Sequence, residues 1–269
     1  TYLGPGRCLA VTATFRPGRR AMIMFRTLGS VSLTGSNGVE VAAVLTQPKR
    51  LALLTVLAVA APGAFQRRDT LLAMFWPSLD QTHARQSLRK AVHVLRRALG
   101  SDVLVARGDE ELTVVPDHLW CDAAAFERAV TEGRPADALE LYRGDLLEGF
   151  FVAEAPEFEH WHERERARLR DLAAQAAWTL AETAAARSQA SDAIRWARRA
   201  AAFTPDDEAA LRELISVLTR VGDRAAALRA YDEFAERLER EFGVRPSAFT
   251  RRMVETVKHS GDFDVGPPA

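Results

Sequence analysis

The chain has 269 residues, 48% of them hydrophobic and 27% charged, which is enough for two domains of ordinary size. Formal charge is zero, yet residues 1–116 carry 15 Lys+Arg against 7 Asp+Glu, while residues 117–269 carry 21 against 29. A basic front half joined to an acidic back half suits a nucleic-acid reader tied to a protein-interaction module, and no run approaches the 18 apolar residues of a membrane-spanning helix.

Thirty-three of the 36 cations are arginine, the side chain that meets phosphate or guanine through two parallel donors. Cys8 and Cys121 are the only cysteines. Neither has a metal-type partner spacing, so a reducing compartment and no structural zinc are expected.

Residues 1–21 contain Gly, Pro and four arginines with no acid, and read as a disordered basic tail. Residues 25–33 and 39–45 are β-branched stretches around Ser36-Asn37-Gly38, and Asn-Gly between such stretches predicts a hairpin. Thr46 then reads as an N-cap with Pro48 in the first turn of a helix over 48–60, which ends at Pro62-Gly63. Asp69 or Thr70 caps a short helix, 71–76, stopped by Pro77.

The next helix, 82–99, is the centre of the reading, with Asp80 as its N-cap and Gly100 as its stop. Leu88, Ala91, Val92, Leu95 and Leu99 form one apolar stripe. The opposite face carries Gln86, Lys90, His93 and Arg97, flanked by Arg89 and Arg96, and no acid follows Asp80 before Gly100. Ordinary solvated faces mix both signs. A purely cationic face suits a polyanion, because each cation near a phosphate releases a condensed counterion.

Residues 103–107 and 112–115 then form a second hairpin around Gly108-Asp109. Sheet, three helices and hairpin make a winged helix-turn-helix over 22–116, with 103–115 as the wing and Arg107 near its tip.

Residues 116–122 read as a linker. From Asp122 onward no strand is expected, and helices are placed at 122–132, 135–142, 156–188, 191–203, 206–221, 224–242 and 246–259. A period of 34 pairs Ala177 with Leu211, Leu180 with Leu214, Ala193 with Ala227 and Ala197 with Tyr231, and sets Ser188 against the turn glycine Gly222. That interval, with two helices per unit, is the signature of tetratricopeptide repeats. Residues 117–260 therefore form an all-α, tetratricopeptide-like domain, and 261–269 a disordered tail. Mainly α overall, the chain is a winged helix (α+β) followed by this helical domain.

Glu159, His160, His162, Glu163 and Glu165 tempt one towards a metal or acid–base site. His160 and His162 point to different helix faces, and Arg166 stands where a zinc-protease helix needs its second histidine. A charged solvated face is the better reading. With no phosphate loop and no Gly-x-Ser-x-Gly elbow, neither an enzyme nor a cofactor is expected.

The runs FRTLGSVSL, PKRLALLTVLA, LLAMFW, LRRALG and VLVARG, followed by CDAAAFERAV, LYRGDLLEG, ERERARL and AYDEFAERLEREFGVRPS, together resemble the SARP-type antibiotic regulatory proteins over about 25–260. That family joins an OmpR/PhoB-like winged helix to a bacterial transcriptional activator domain of tetratricopeptide-like helices. The resemblance implies that Trp76 donates its indole N–H to a phosphate, that His93 and Arg96 contact the backbone, and that Arg107 is the wing arginine. It implies an arginine where this chain has Val94, which offers at most apolar contact to a thymine methyl. Base reading then falls to Lys90, Gln86 or Arg97.

Arg85 and Arg89 join the expected contacts. So does Lys49, at a helix start whose backbone N–H groups suit a phosphate. The expected partners are promoter DNA with tandem direct repeats, RNA polymerase and an adjacent protomer, in the cytoplasm at the nucleoid and with no membrane. A tetratricopeptide scaffold whose winged helix no longer reads DNA is the alternative.

Overall fold

The computed structural model describes residues 22–60 and 63–259; both expected tails lie outside them, as does Cys8. The first strand, β1 (Ile23–Arg26), pairs antiparallel with β2 (Ser32–Thr34) and sets Phe25 opposite Leu33, both fully buried. The bend between them needs Gly29, which sits at φ +86° and whose N–H donates to the Asp145 carbonyl at 2.9 Å.

The Asn37-Gly38 turn forms as expected, with Gly38 at φ +79° and Val39 N donating to Asn37 Oδ1 at 3.1 Å. It pinches only a single bridge, Thr34 to Glu40. The expected strand over 39–45 is instead a short helix, α1 (Ala42–Leu45), which buries Val44. Two alanines favour that helical turn, which leaves β2 at the edge of the sheet; the other edge of β1 does not stay free.

It is taken by β6 (Leu119–Cys121), within the stretch expected to be a linker. This strand lies parallel to β1, with Met24 opposite Trp120, giving the order β2-β1-β6. So the back half contributes a strand to the front half's sheet.

Helix α2 (Pro48–Val59) is buried continuously from Leu51 to Val59. Its N-cap is Gln47, because the Thr46 hydroxyl donates back to Ala42 O at 2.9 Å and closes α1 instead. Helix α3 (Arg68–Phe75) starts at Arg67 with no side-chain cap, earlier than Asp69 or Thr70 would place it.

Helix α4 (Gln81–Leu99) is capped as expected: Asp80 Oδ1 accepts from Thr82 N at 3.0 Å and His83 N at 3.1 Å. It ends at Gly100, φ +113°. The hairpin follows as β4 (Leu104–Arg107) and β5 (Glu111–Val114), and a two-residue strand, β3 (Gln66–Arg67), adds to it in the order β3-β5-β4. Three helices and this small sheet are a winged helix.

Seven helices follow: α5 (Asp122–Thr131), α6 (Pro135–Leu141), α7 (Pro156–Ala186), α8 (Ala190–Phe203), α9 (Glu208–Arg220), α10 (Arg224–Phe242) and α11 (Ala248–His259). They match the expected segments to within a few residues. Ala193, Ala197 and Ala227 are buried where the helices cross, as the repeat requires.

The turns of the three hairpins share one geometry. Gly133, Ser188 and Gly222 have φ of +68°, +58° and +87°. The next residue's N–H reaches back five positions each time: Arg134 to Ala129 at 2.8 Å, Gln189 to Ala184 at 2.9 Å and Asp223 to Leu218 at 2.9 Å. The α5–α6 pair is thus a further copy of the unit, which the period-34 comparison missed because the irregular segment before α7 lengthens the interval. Ser188 holds a conformation that disfavours a Cβ. Ser188→Gly is expected to stabilise by about 0.5 kcal/mol, net of the freer unfolded chain. A lowered melting temperature would contradict this.

One hydrophobic cluster runs from Ile23 to Ala200, through the winged helix and into α7 and α8. At the junction the Asp122 carboxylate is buried. Its Oδ1 accepts from Thr27 N at 2.7 Å, the Thr27 hydroxyl at 2.8 Å and Ala123 N at 2.9 Å, and its Oδ2 from Leu28 N at 3.1 Å. Phe75 of α3 meets Phe158 of α7 with ring centroids 5.5 Å apart.

Candidate nucleic-acid interface

Helix α4 buries Ala84, Leu88, Ala91, Val92, Leu95 and Leu99, which fixes where its other side chains point. Gln86, Lys90, His93 and Arg97, spaced i, i+4, i+7 and i+11, lie on the outermost stripe and all are exposed. Arg85, Arg89 and Arg96 share a second stripe, on the flank that faces the hairpin. Val94 is half-buried on the other flank with Ser87 and Ala98, off the outermost stripe.

The hairpin is fixed to this helix by Arg96, whose Nε donates to Leu104 O at 3.0 Å. Arg96 is therefore spent partly on positioning. Arg107 is exposed, but its Nε donates to Glu111 Oε2 at 2.5 Å and its guanidinium lies 4.4 Å from the Phe65 ring centre. The wing arginine is held by a carboxylate on the neighbouring strand.

Trp76, at the C-cap of α3, is half-buried against the core with its ring 5.9 Å from Phe75. Among the described residues its indole N–H has no hydrogen-bond partner, so packing and a contact role are compatible. Lys49 is half-exposed in the first turn of α2, behind Pro48. The structure thus gathers the α4 cations and Arg107 around one helix and its hairpin.

Sequence reasoning missed Arg67 and Arg68. They open α3 and, with Arg85 and Arg89, line a cleft of about 320 Å³ between α3, α4 and the β4–β5 turn. Burial lowers the Arg68 pKa from its ordinary value; Arg96 and Arg89 add to that, and Asp109 opposes it. The signal was present: two cations at the positive end of a helix run against the dipole and ask for an explanation.

The acidic α7 segment also needs correction. His162 is buried, not solvated: its Nε2 donates to Leu146 O at 2.8 Å and its ring stacks on Phe158 at 5.6 Å. Glu159 Oε1 accepts from Val152 N at 2.8 Å, and Glu163 and Glu165 pair with Arg166 and Arg168. His162 and Glu159 thus hold the segment before α7 in place, while the Glu163 and Glu165 pairs lie within the helix. Among the described residues no group of three His, Cys, Asp or Glu is placed to hold a metal ion. Cys121 is buried beside Asp122, and burial pushes its thiol up to about 12, so it is unreactive near neutral pH. Among the same residues, no helix is long and apolar enough to cross a membrane.

Comparison with known proteins agrees with this architecture. The model of the bacterial transcriptional activator domain family matches residues 121–258. The solved structure of Mycobacterium tuberculosis EmbR in complex with a low-affinity phosphopeptide is similar in fold, with a TM-score of 0.62 and 23% identity over 90% of this chain. This chain spans 65% of that one's length. No curated protein sequence matches at a significant level. With the family model covering more than half its length, the chain belongs to the bacterial transcriptional activator domain family.

Proposed function

We propose that the chain is a sequence-specific DNA-binding activator, with residues 22–116 as the reader and residues 117–260 as the partner-binding domain. Helix α4 enters the major groove, the wing lies at the neighbouring minor groove, and the tetratricopeptide-like helices meet an adjacent protomer and RNA polymerase. Tandem direct repeats then place successive protomers side by side. The reading places the protein in the cytoplasm, at the nucleoid.

One observation carries this proposal. Several arginines of the helical half pair with carboxylates, Arg134 with Glu132 and Asp137, Arg168 with Glu127 and Glu165, Arg166 and Arg170 with Asp145, while its unpaired ones, such as Arg198, Arg229 and Arg251, are spread over different helices. On α4, among the described residues, four cations gather with no ion pair at Arg85, Arg89, Lys90 or Arg97, and no acid lies between Asp80 and Gly100. A protein that leaves its cations unpaired on one helix has that helix available for a polyanion.

The test is a titration of full-length protein against random duplex and its own upstream region at two salt concentrations. Preference for the upstream region that survives the higher salt supports a specific regulator. Equal weak binding to both, lost at higher salt, moves the scaffold reading to first place.

The wing gives a separate expectation. Glu111→Gln releases Arg107 and is expected to steepen the slope of log K against log salt by about 1, with binding tighter at low salt. An unchanged slope would mean that Arg107 does not meet phosphate.

A further inference from the structure

We infer that the cleft between α3, α4 and the β4–β5 turn is a phosphate seat, taking one backbone phosphodiester of the DNA strand beside the recognition helix. The inference rests on the duplex-binding reading and assigns Arg67 and Arg68 a contact that the helix face alone does not predict.

Four guanidinium groups, those of Arg67, Arg68, Arg85 and Arg89, line this one cleft with Asp69, Asp109 and Glu110. Among the described residues none of the four makes an ion pair or side-chain hydrogen bond, although three carboxylates share the cavity. Elsewhere in the chain, arginines beside carboxylates pair with them. Arg68 Nε is buried with no partner among the described residues; Arg166 Nε is too, but the Arg166 guanidinium pairs through its other nitrogens with Asp145 and Glu163, and that of Arg68 does not. An unmade buried donor is rare in a folded protein and marks a place where an acceptor belongs.

Cations exceed anions in the cleft, and Arg96 lies near enough to add its charge at Arg68. The start of α3, with no side-chain cap, contributes the positive end of its dipole. A phosphodiester offers two free oxygens to forked guanidinium donors, which chloride and other simple anions cannot match. The three carboxylates oppose any anion that meets only one arginine.

The position suits the strand. Arg85 and Arg89 form the flank of α4 next to the stripe of Gln86, Lys90, His93 and Arg97. With the outer stripe in the major groove, the backbone bordering that groove passes the flank and so the mouth of the cleft. Helix face and cleft then grip base edges and one strand's backbone together.

The experiment uses full-length protein and a duplex that it selects from a random pool. Methylphosphonate replacements remove one phosphate charge at a time along that duplex. Wild type is expected to lose about 10-fold in affinity at one backbone position bordering the α4 footprint. Arg67→Ala/Arg68→Gln is expected to lose about as much on the unmodified duplex, to show no further loss at that position, and to flatten the salt slope by about 1 to 2. Arg67→Glu, which changes only an exposed side chain, keeps the test alive should the double variant melt early, and is expected to weaken binding more.

Equal sensitivity to that position in wild type and variants, or variants that bind like wild type, would overturn the seat while leaving the DNA reading intact. Should the wild type select no duplex, the DNA reading fails, and the cleft is judged with inorganic phosphate alone. Saturable phosphorus-31 line broadening that both variants abolish would keep a seat for a free phosphate and remove the DNA source. No broadening would overturn it.

Discussion

Full-length protein carrying Lys90→Ala and Arg97→Ala is expected to bind its selected duplex about 100-fold more weakly than wild type at physiological salt. Both residues sit on the outermost stripe of α4, exposed and unpaired, one turn or two from every other polar side chain there. Each contact to a base edge or phosphate is worth about 1–3 kcal/mol. The salt slope is expected to fall by up to about 2, and the melting temperature to stay within a degree or two, because neither side chain touches the core. Retention of wild-type affinity in gel-shift or anisotropy titrations would remove α4 as the reading helix.

Asp122→Ala is expected to be the most destabilising single change at the junction, by about 3–5 kcal/mol. The substitution strands the N–H groups of Thr27 and Leu28 and the Thr27 hydroxyl, which end 2.7 to 3.1 Å from the missing carboxylate. Total stabilities are about 5–15 kcal/mol, so the variant is expected to be partly unfolded at 37 °C. Asp122→Asn keeps one acceptor oxygen but turns an NH2 towards Leu28 N or Thr27, and is expected to lose about 2 kcal/mol. Urea titrations followed by Trp fluorescence measure both. A loss below about 1 kcal/mol for the alanine variant would show that water replaces the carboxylate.

The helices were legible because their signals are local. Apolar residues recur at helical spacing, and Gly100, Gly133, Gly222 and Pro135 stop or start elements within a residue or two of where the chain turns. Asp80 capping α4 is a signal of the same kind. Strand β6 was not legible. Three residues carry no usable alternation, and its partner, Ile23–Arg26, lies almost 100 positions away in the chain. The two-residue β3 failed for the same reason. Asn37-Gly38 was read correctly as a turn and wrongly as the centre of a hairpin, because a turn signal does not say how far the flanking pairs extend.

At the candidate site the outer stripe was legible and the state of its neighbours was not. Periodicity places Arg97 outward. It does not say that Arg96 is tied to Leu104 or that Arg107 is held by Glu111. Both engagements depend on how the hairpin folds back. His162 misled in the opposite direction: its charged neighbours suggested solvent, while Leu146 and Phe158 enclose it.

The parallel pairing of β6 with β1 bears on how the chain comes apart. A reader piece cut at 118 would lack the strand that completes its first sheet, leave β1 with a bare edge prone to intermolecular pairing, and lose Asp122 with it. A piece running through α5 keeps all three. The family's recurring sequence unit begins at 121, on the last residue of β6. The segment that recurs between proteins thus starts inside the strand that closes the front sheet and carries the Asp122 carboxylate, so a reader head freed at that boundary would lose the end of β6 and the acceptor for Thr27 and Leu28.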